Sequence, residues 1–325
     1  MDLEEIIKEN KPTIVDSSVK AYVNNIRKLH QRMHDTKEVP SLDWLKDPNK
    51  VIAFLDENNK SYLTTRNFLN ALIVLLMKEE EMEQALITYQ TKRDELNDKY
   101  QERQEKGEMT ERQQEAWVPL QEIQNFVGRL NEKVKKLKLN PELPSGDKQL
   151  IQDRFMVKFW TTYPLRNDLA DTRVLTRSAF AALSEEDTSN NNYIIVSPQT
   201  MMLHVANYKT KKTYGIKKIK VKDKVVIRYL RDWLKVSPNP DYALVNLRSG
   251  QPMTGVHITQ NFLRIFENEF GKRVSTTLLR HIVVMDTFGQ VIQDMDEMAD
   301  VMMHSKHTQQ TIYSKPSALD TIVST

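Results

Sequence analysis

The sequence predicts a mainly α-helical fold with a small antiparallel β-sheet, divided into two domains. Three observations lead there. Apolar residues recur at helical spacing through most of the first 139 positions, as in Val19, Tyr22, Val23, Ile26 and Leu29. The segment LNPELPSGDK, with two prolines and a glycine among polar residues, then interrupts the pattern. Beyond it, stretches around Tyr193–Ser197 and Met201–Asn207 read as strands, Leu203 and Val205 alternating with other residue types. A chain of 325 residues is long enough for two domains, each with its own core.

The elements follow in order. Ser17 or Ser18 is placed to cap the first helix, Asp43 to Leu55 suggests a second, and Thr64 to Met77 a third with an almost continuous apolar body. Residues 78–116 turn strongly charged and read as one or two solvated helices, an insertion broken near Gly107. Trp117 to Leu139 resumes the helical pattern through Ile123, Phe126, Val127, Leu130 and Val134. The expected division is a helical domain over 1–140, a linker over 141–148 and a second domain over 149–325. In that second domain Gln149 to Trp160 is a helix, and Asn167 to Val174 begins a helix or turn. Tyr214-Gly215 marks a turn before a strand over Lys217 to Val221, which gives a hairpin. Val225 to Val236, Thr259 to Phe270, Thr276 to Phe288 and Met295 to Met303 read as four separate helices.

Composition narrows the function. Cysteine is absent, which removes disulfides, thiolate catalysis and zinc–cysteine sites. The longest apolar run, Ala71 to Met77, is too short to span a bilayer, and MDLEEIIKEN has no signal-peptide core. A cytoplasmic or nuclear protein, not a secreted or membrane one, is expected. Net charge is only +3, but residues 1–140 hold 23 basic and 25 acidic side chains, against 24 and 19 in the remainder. Eight lysines and one acid, Asp223, fall between Tyr208 and Lys224, a strip suited to a polyanion or simply to solvent. No His-Glu-x-x-His pair, phosphate-cradling glycine loop or serine-hydrolase elbow occurs, so no cofactor and no metal is expected.

The residues that suggest chemistry lie in the second half. MMHSKHTQQTIYSK, TTLLRHIVVMDTF, TTYPLRNDLADTRV and NYKTKKTYGIKKIKV occur there. Together they resemble the catalytic domain of the tyrosine recombinases, the phage-integrase family. Its nucleophilic tyrosine follows a Gly-His-Ser segment, and its two arginines and a hairpin lysine precede that segment. His304 and Tyr313 stand at the family interval, as do Arg280 and His304. The resemblance implies a catalytic set of Arg166, Lys209, Arg280, His304 and Tyr313. It also implies an α+β catalytic domain, preceded by a helical core-binding domain that closes on DNA. The expected partners are double-stranded DNA and further copies of the chain, a tetramer on DNA.

The residue types fit that chemistry. Attack on a phosphodiester builds negative charge on the nonbridging oxygens, which two forked guanidiniums can bind. A lysine can protonate the leaving 5′ oxygen, and the tyrosine stores the phosphoryl bond as a 3′-phosphotyrosyl ester. Lys211 and Lys212 compete with Lys209 for the lysine position and otherwise read as phosphate contacts. Arg166 could instead pair with Asp168 or Asp171. Arg280 sits within an apolar helical pattern, where an unpaired charge is costly. In the first domain Lys60, Thr65 and Arg66 are candidate phosphate contacts.

Two positions depart from the family. Thr277 stands where it has His or Lys, leaving His281 or His307 as substitutes. Asp168 lies two residues after Arg166, where the family has an acid three residues on. A type IB topoisomerase, a telomere resolvase and a catalytically silent DNA-binding protein of the same fold stay open as alternatives.

Overall fold

The computed structural model describes residues 1–105, 107–305 and 308, and Tyr313 and His307 lie outside them. Two compact units divide the chain, Met1–Met109 and Thr110–Thr325. The break thus falls earlier than the expected 1–140 boundary. Helix 120–135 presents Ile123, Phe126, Leu130 and Val134 to the core of the second unit. The Pro-rich 141–148 segment, expected as an interdomain linker, joins two packed helices of that unit, and its last residues are already helical. Among the described residues no helix is long and apolar enough to cross a membrane.

The first unit is helical: α1 (Leu3–Asn10), α2 (Asp16–His34), α3 (Pro48–Asn58), α4 (Tyr62–Leu76) and α5 (Glu83–Glu105). α4 is its centre, buried on nearly every side from Thr65 to Leu76, which explains its unbroken apolar sequence. The Asn10 side-chain amide closes α1 onto the end of α4, donating to the Val74 and Leu75 carbonyls at 2.9 and 2.8 Å. The charged 78–116 segment is only partly the solvated arm its composition suggests. α5 turns Ala85, Tyr89 and Leu96 into the core, and the Tyr89 hydroxyl donates to the Leu45 carbonyl at 3.1 Å. These apolar positions are few among many charges, so the periodicity is masked.

The second unit contains α6 (Glu111–Glu115), α7 (Leu120–Lys135), α8 (Ser145–Thr162), β1 (Arg173–Thr176), α9 (Arg177–Ala181), α10 (Glu185–Asn190), β2 (Tyr193–Val196), β3 (Met201–Val205), α11 (Lys211–Tyr214), β4 (Lys217–Val221), α12 (Lys224–Val236), α13 (Gly255–Phe270) and α14 (Thr276–Val301). The sheet order is β1-β2-β3-β4. The β3–β4 hairpin is present, Leu203 opposite Ile219, but the sheet is mixed rather than antiparallel. β1 runs parallel to β2, Val174 opposite Ile194, because α9 and α10 carry the chain back between them. RVLT is short and half-exposed, so it gives little strand signal.

α8 forms the middle of this unit, burying Ile151, Phe155, Phe159 and Trp160 completely. Each of its buried polar residues has a partner, although the Arg154 Nε makes no hydrogen bond among the described residues. Gln152 exchanges hydrogen bonds with Val245, Asp153 binds Arg264 at 2.7 Å, and Arg154 binds Asp232 at 2.8 Å. Asp223, Thr254 and Ser275 cap α12, α13 and α14.

The largest departure from expectation is α14. Thr276 to Phe288 and Met295 to Met303 read as two helices, yet the structure joins them. Gly289 keeps helical geometry at a cost of about 1 kcal/mol. Same-face pairs bridge the polar stretch, Gln290 to Asp294 at 2.8 Å and Gln293 to Glu297 at 3.0 Å.

Candidate functional site

Arg166 sits in the loop between α8 and β1, and each stretch of that loop is pinned. The Trp160 indole donates to the Leu165 carbonyl at 3.1 Å. The Asn167 side chain donates to the Gly255 carbonyl and the Thr259 hydroxyl at 2.8 and 2.9 Å, fastening the loop to the first turn of α13. Asp171 adopts a left-handed φ of 53° and donates its N–H to the Met253 carbonyl. Arg166 itself is exposed.

Arg280 comes from the second turn of α14, which Leu278, Leu279, Ile282 and Val283 lock into the core. Its guanidinium is held below its ordinary range, first by burial and then by the positive charge of Arg166, with Asp168 acting the other way. Asp168 feels both arginines. Burial pushes its carboxyl above the usual range, while Arg166 and Arg280 pull it back. Arg166 and Asp168, and Arg280 far from them in sequence, thus lie close enough to act on one another electrostatically. The Arg280 Nε is buried and, among the described residues, has no hydrogen-bond partner. A buried cationic donor left unpaired is costly unless an anion completes it. The arrangement offers an anionic group the Arg280 donor and the nearby positive charge of Arg166.

Lys209 is exposed in the loop after β3. That loop is tied to the Arg166 loop through Asn192, which donates to the carbonyls of both Asp168 and Asn207 at 2.8 Å. Lys212 is exposed at the start of α11, whereas the Lys211 ammonium turns inward to the Ser189 carbonyl. Lys211 thus anchors the loop, a role unlike the free phosphate contact expected of it. Lys217, Lys218 and Lys220 along β4 are exposed, so the basic strip faces solvent. Thr277 and His281 are exposed near the start of α14.

His304 is not brought to the arginines along the chain. α14 continues from Arg280 to Val301, a rise of about 30 Å at 1.5 Å per residue. His304 follows as the chain leaves the helix, its N–H donating to the Ala299 carbonyl at 3.1 Å. The preceding Met303 takes a left-handed φ of 53° where the resembled segment has glycine.

In the first unit Lys60 is exposed and Arg66 half-buried, its guanidinium 4.7 Å from the centre of the Tyr100 ring. Thr65 is 1% exposed, its hydroxyl in contact with the Leu55 carbonyl and the Asn59 side chain, so it cannot contact phosphate as expected. Among the described residues no three His, Asp or Glu side chains gather to hold a metal ion. No motif marks Asn167 or Asn192 in the sequence, and only the structure shows that the last member of the NNN run before β2 is buried. No family model matches the chain, and no curated protein matches it.

Proposed function

We propose that the chain is a site-specific DNA recombinase of the tyrosine-recombinase type, which breaks and rejoins DNA through a 3′-phosphotyrosyl bond. The observation that carries the proposal is the electrostatic grouping of Arg166, Asp168 and Arg280, with the Arg280 Nε buried and, among the described residues, without a hydrogen-bond partner. The scissile phosphate would lie against the two guanidiniums, whose forked donors match its nonbridging oxygens. The Tyr313 oxygen attacks phosphorus, the bond from phosphorus to the 5′ oxygen breaks, and Lys209 gives that oxygen its proton. Attack by a 5′-hydroxyl of the partner strand reverses the step, releasing tyrosine and needing no external energy. The exposed lysines of β4 would hold the flanking backbone, and Lys60 and Arg66 would let the first unit act as the clamp. Double-stranded DNA and further copies of the chain, as a tetramer, are the proposed partners.

One observation favours a second reading, a DNA-binding protein of the same fold that leaves strands intact. The length of α14 separates Arg280 from His304, which the cleavage mechanism places on one phosphate. A single experiment separates the two readings. The full chain is mixed with a random-sequence pool of nicked duplexes, and DNA that survives denaturing washes with the protein is sequenced. The recombinase reading gives adducts at a recurring sequence, retained in EDTA and abolished in Tyr313→Phe with binding unchanged. Binding without adducts gives the silent protein. Adducts that form at any sequence, with relaxation of any supercoiled plasmid, give a topoisomerase.

A further inference from the structure

We propose that Asn192 is a positioning residue that holds the Arg166 loop and the Lys209 loop at one fixed separation, an inference that rests on the function proposed above. A carboxamide offers two donor hydrogens and an oxygen with two acceptor positions. Asn192 uses all four. Its Nδ2 donates to the Asp168 and Asn207 carbonyls, each at 2.8 Å. Its Oδ1 accepts from the Ala206 and Asn207 N–H groups at 2.9 and 2.7 Å. The residue is 7% exposed, so little water is at hand to replace any of these bonds.

The location gives the bonds their meaning. β3 leaves the sheet after Val205, and the pairing of β2 with β3 ends at Tyr193 opposite His204. Ala206 and Asn207 therefore lie past the end of the ladder, where the Asn192 side chain takes the place of a strand partner. Asn207 is gripped by both its N–H and its carbonyl, two residues before Lys209. Asp168 is gripped by its carbonyl, two residues after Arg166. Successive Cα atoms are about 3.8 Å apart, so each candidate catalytic side chain departs within roughly 8 Å of the clamp. The Asn192 backbone fixes the same point to the sheet, its carbonyl accepting from Arg173 N–H at 3.2 Å. No other residue type reproduces this pattern. Aspartate keeps the acceptors and loses the donors, alanine loses everything, and glutamine is one methylene too long.

The test compares Asn192→Ala and Asn192→Asp in the full chain, with Asn191→Ala as the exposed neighbour control. Amide hydrogen exchange is read first, because it does not depend on activity. Both Asn192 variants should exchange faster at 206–209 and 166–170 together, with β2 and β3 still protected. Cleavage is then measured on a nicked duplex recovered from the pool and on its 5′-bridging phosphorothiolate analogue, which needs no proton on the leaving atom. Ordinary cleavage should fall roughly 100-fold, as expected of misplaced groups. Duplex affinity should stay near wild type, and the melting temperature should fall by only a few degrees, the cost of the backbone groups left without partners, with the fold retained. The sulfur substrate should recover part of the loss, the share due to Lys209, and leave the share due to Arg166. Asn192→Asp should regain activity toward acid pH, where its carboxyl can donate again. Unchanged exchange at either loop overturns the inference whatever the activity. Loss of cleavage in proportion to loss of fold and binding makes Asn192 merely structural and also overturns it. Wild-type protein that never forms an adduct refutes the proposed function, while coupled exchange in the two loops would still establish the clamp.

Discussion

The two halves of α14 carry similar numbers of apolar residues and meet different fates. Leu278, Leu279, Ile282 and Val283 in its first turns are buried and hold Arg280 beside Arg166 and Asp168. Phe288, Val291 and Val301 further along are 54%, 56% and 75% exposed. Apolar residues recur at helical spacing on both sides of Gly289, so that spacing alone cannot tell a half that packs from one that does not. The difference teaches that an arginine's setting is fixed by the turns immediately around it. A residue such as His304, at the far end of the same helix, is placed by how far that helix continues.

The largest effect expected from this contrast is on chemistry. Arg280→Lys or Arg166→Lys should slow strand cleavage by about 10²-fold or more while duplex affinity changes little, because a point charge cannot make forked contacts. Equal loss of cleavage and binding, read by single-turnover cleavage and titration, would reduce both arginines to general phosphate contacts. Stability should show the same asymmetry on a smaller scale. Leu279→Ala should cost about 2–5 kcal/mol in a urea melt, and Phe288→Ser less than about 0.5 kcal/mol. A comparable loss at Phe288 would mean that something covers the second half in solution.

Arg166, Lys209 and Arg280 stand out because each lies in a distinctive local sequence. That Arg166, Asp168 and Arg280 act on one another was not legible, nor that Asn192 ties the Arg166 loop to the Lys209 loop through a buried carboxamide that no motif marks. The helical class and the β3–β4 hairpin were legible from periodicity and from Gly215, whose φ of 64° suits the turn after α11. The parallel β1 was hidden by its brevity, and the core face of α5 by its charges. The unbroken α14 was hidden by one glycine and a polar run that side-chain pairs offset. Gly289→Ala sharpens that last point. A Cβ there would meet only Met285 Cε at 3.6 Å, an ordinary contact. A continuous helix should gain about 0.5–1 kcal/mol, and a loss would place a break at this residue.

The smallest effect concerns pH. Because burial raises the Asp168 carboxyl above its usual range, the folded protein holds that proton more firmly than the unfolded chain. This contribution to stability is fully present below the ordinary carboxyl value and is lost as pH rises through the folded value. Asp168→Asn should therefore flatten the dependence of melting temperature on pH just above the carboxyl range and melt slightly higher at neutral pH. A lower melting temperature there would mean that the carboxylate is needed to hold the two arginines together.

The most direct measurement is the identity of the residue bonded to DNA. The adduct from the nicked-duplex pool is digested with nuclease and protease, and the modified peptide is sequenced by mass spectrometry. A 3′-phosphoryl nucleotide on Tyr313 is the predicted result. The same nucleotide on any other residue, or no modified peptide from protein that binds the duplex, would contradict the account.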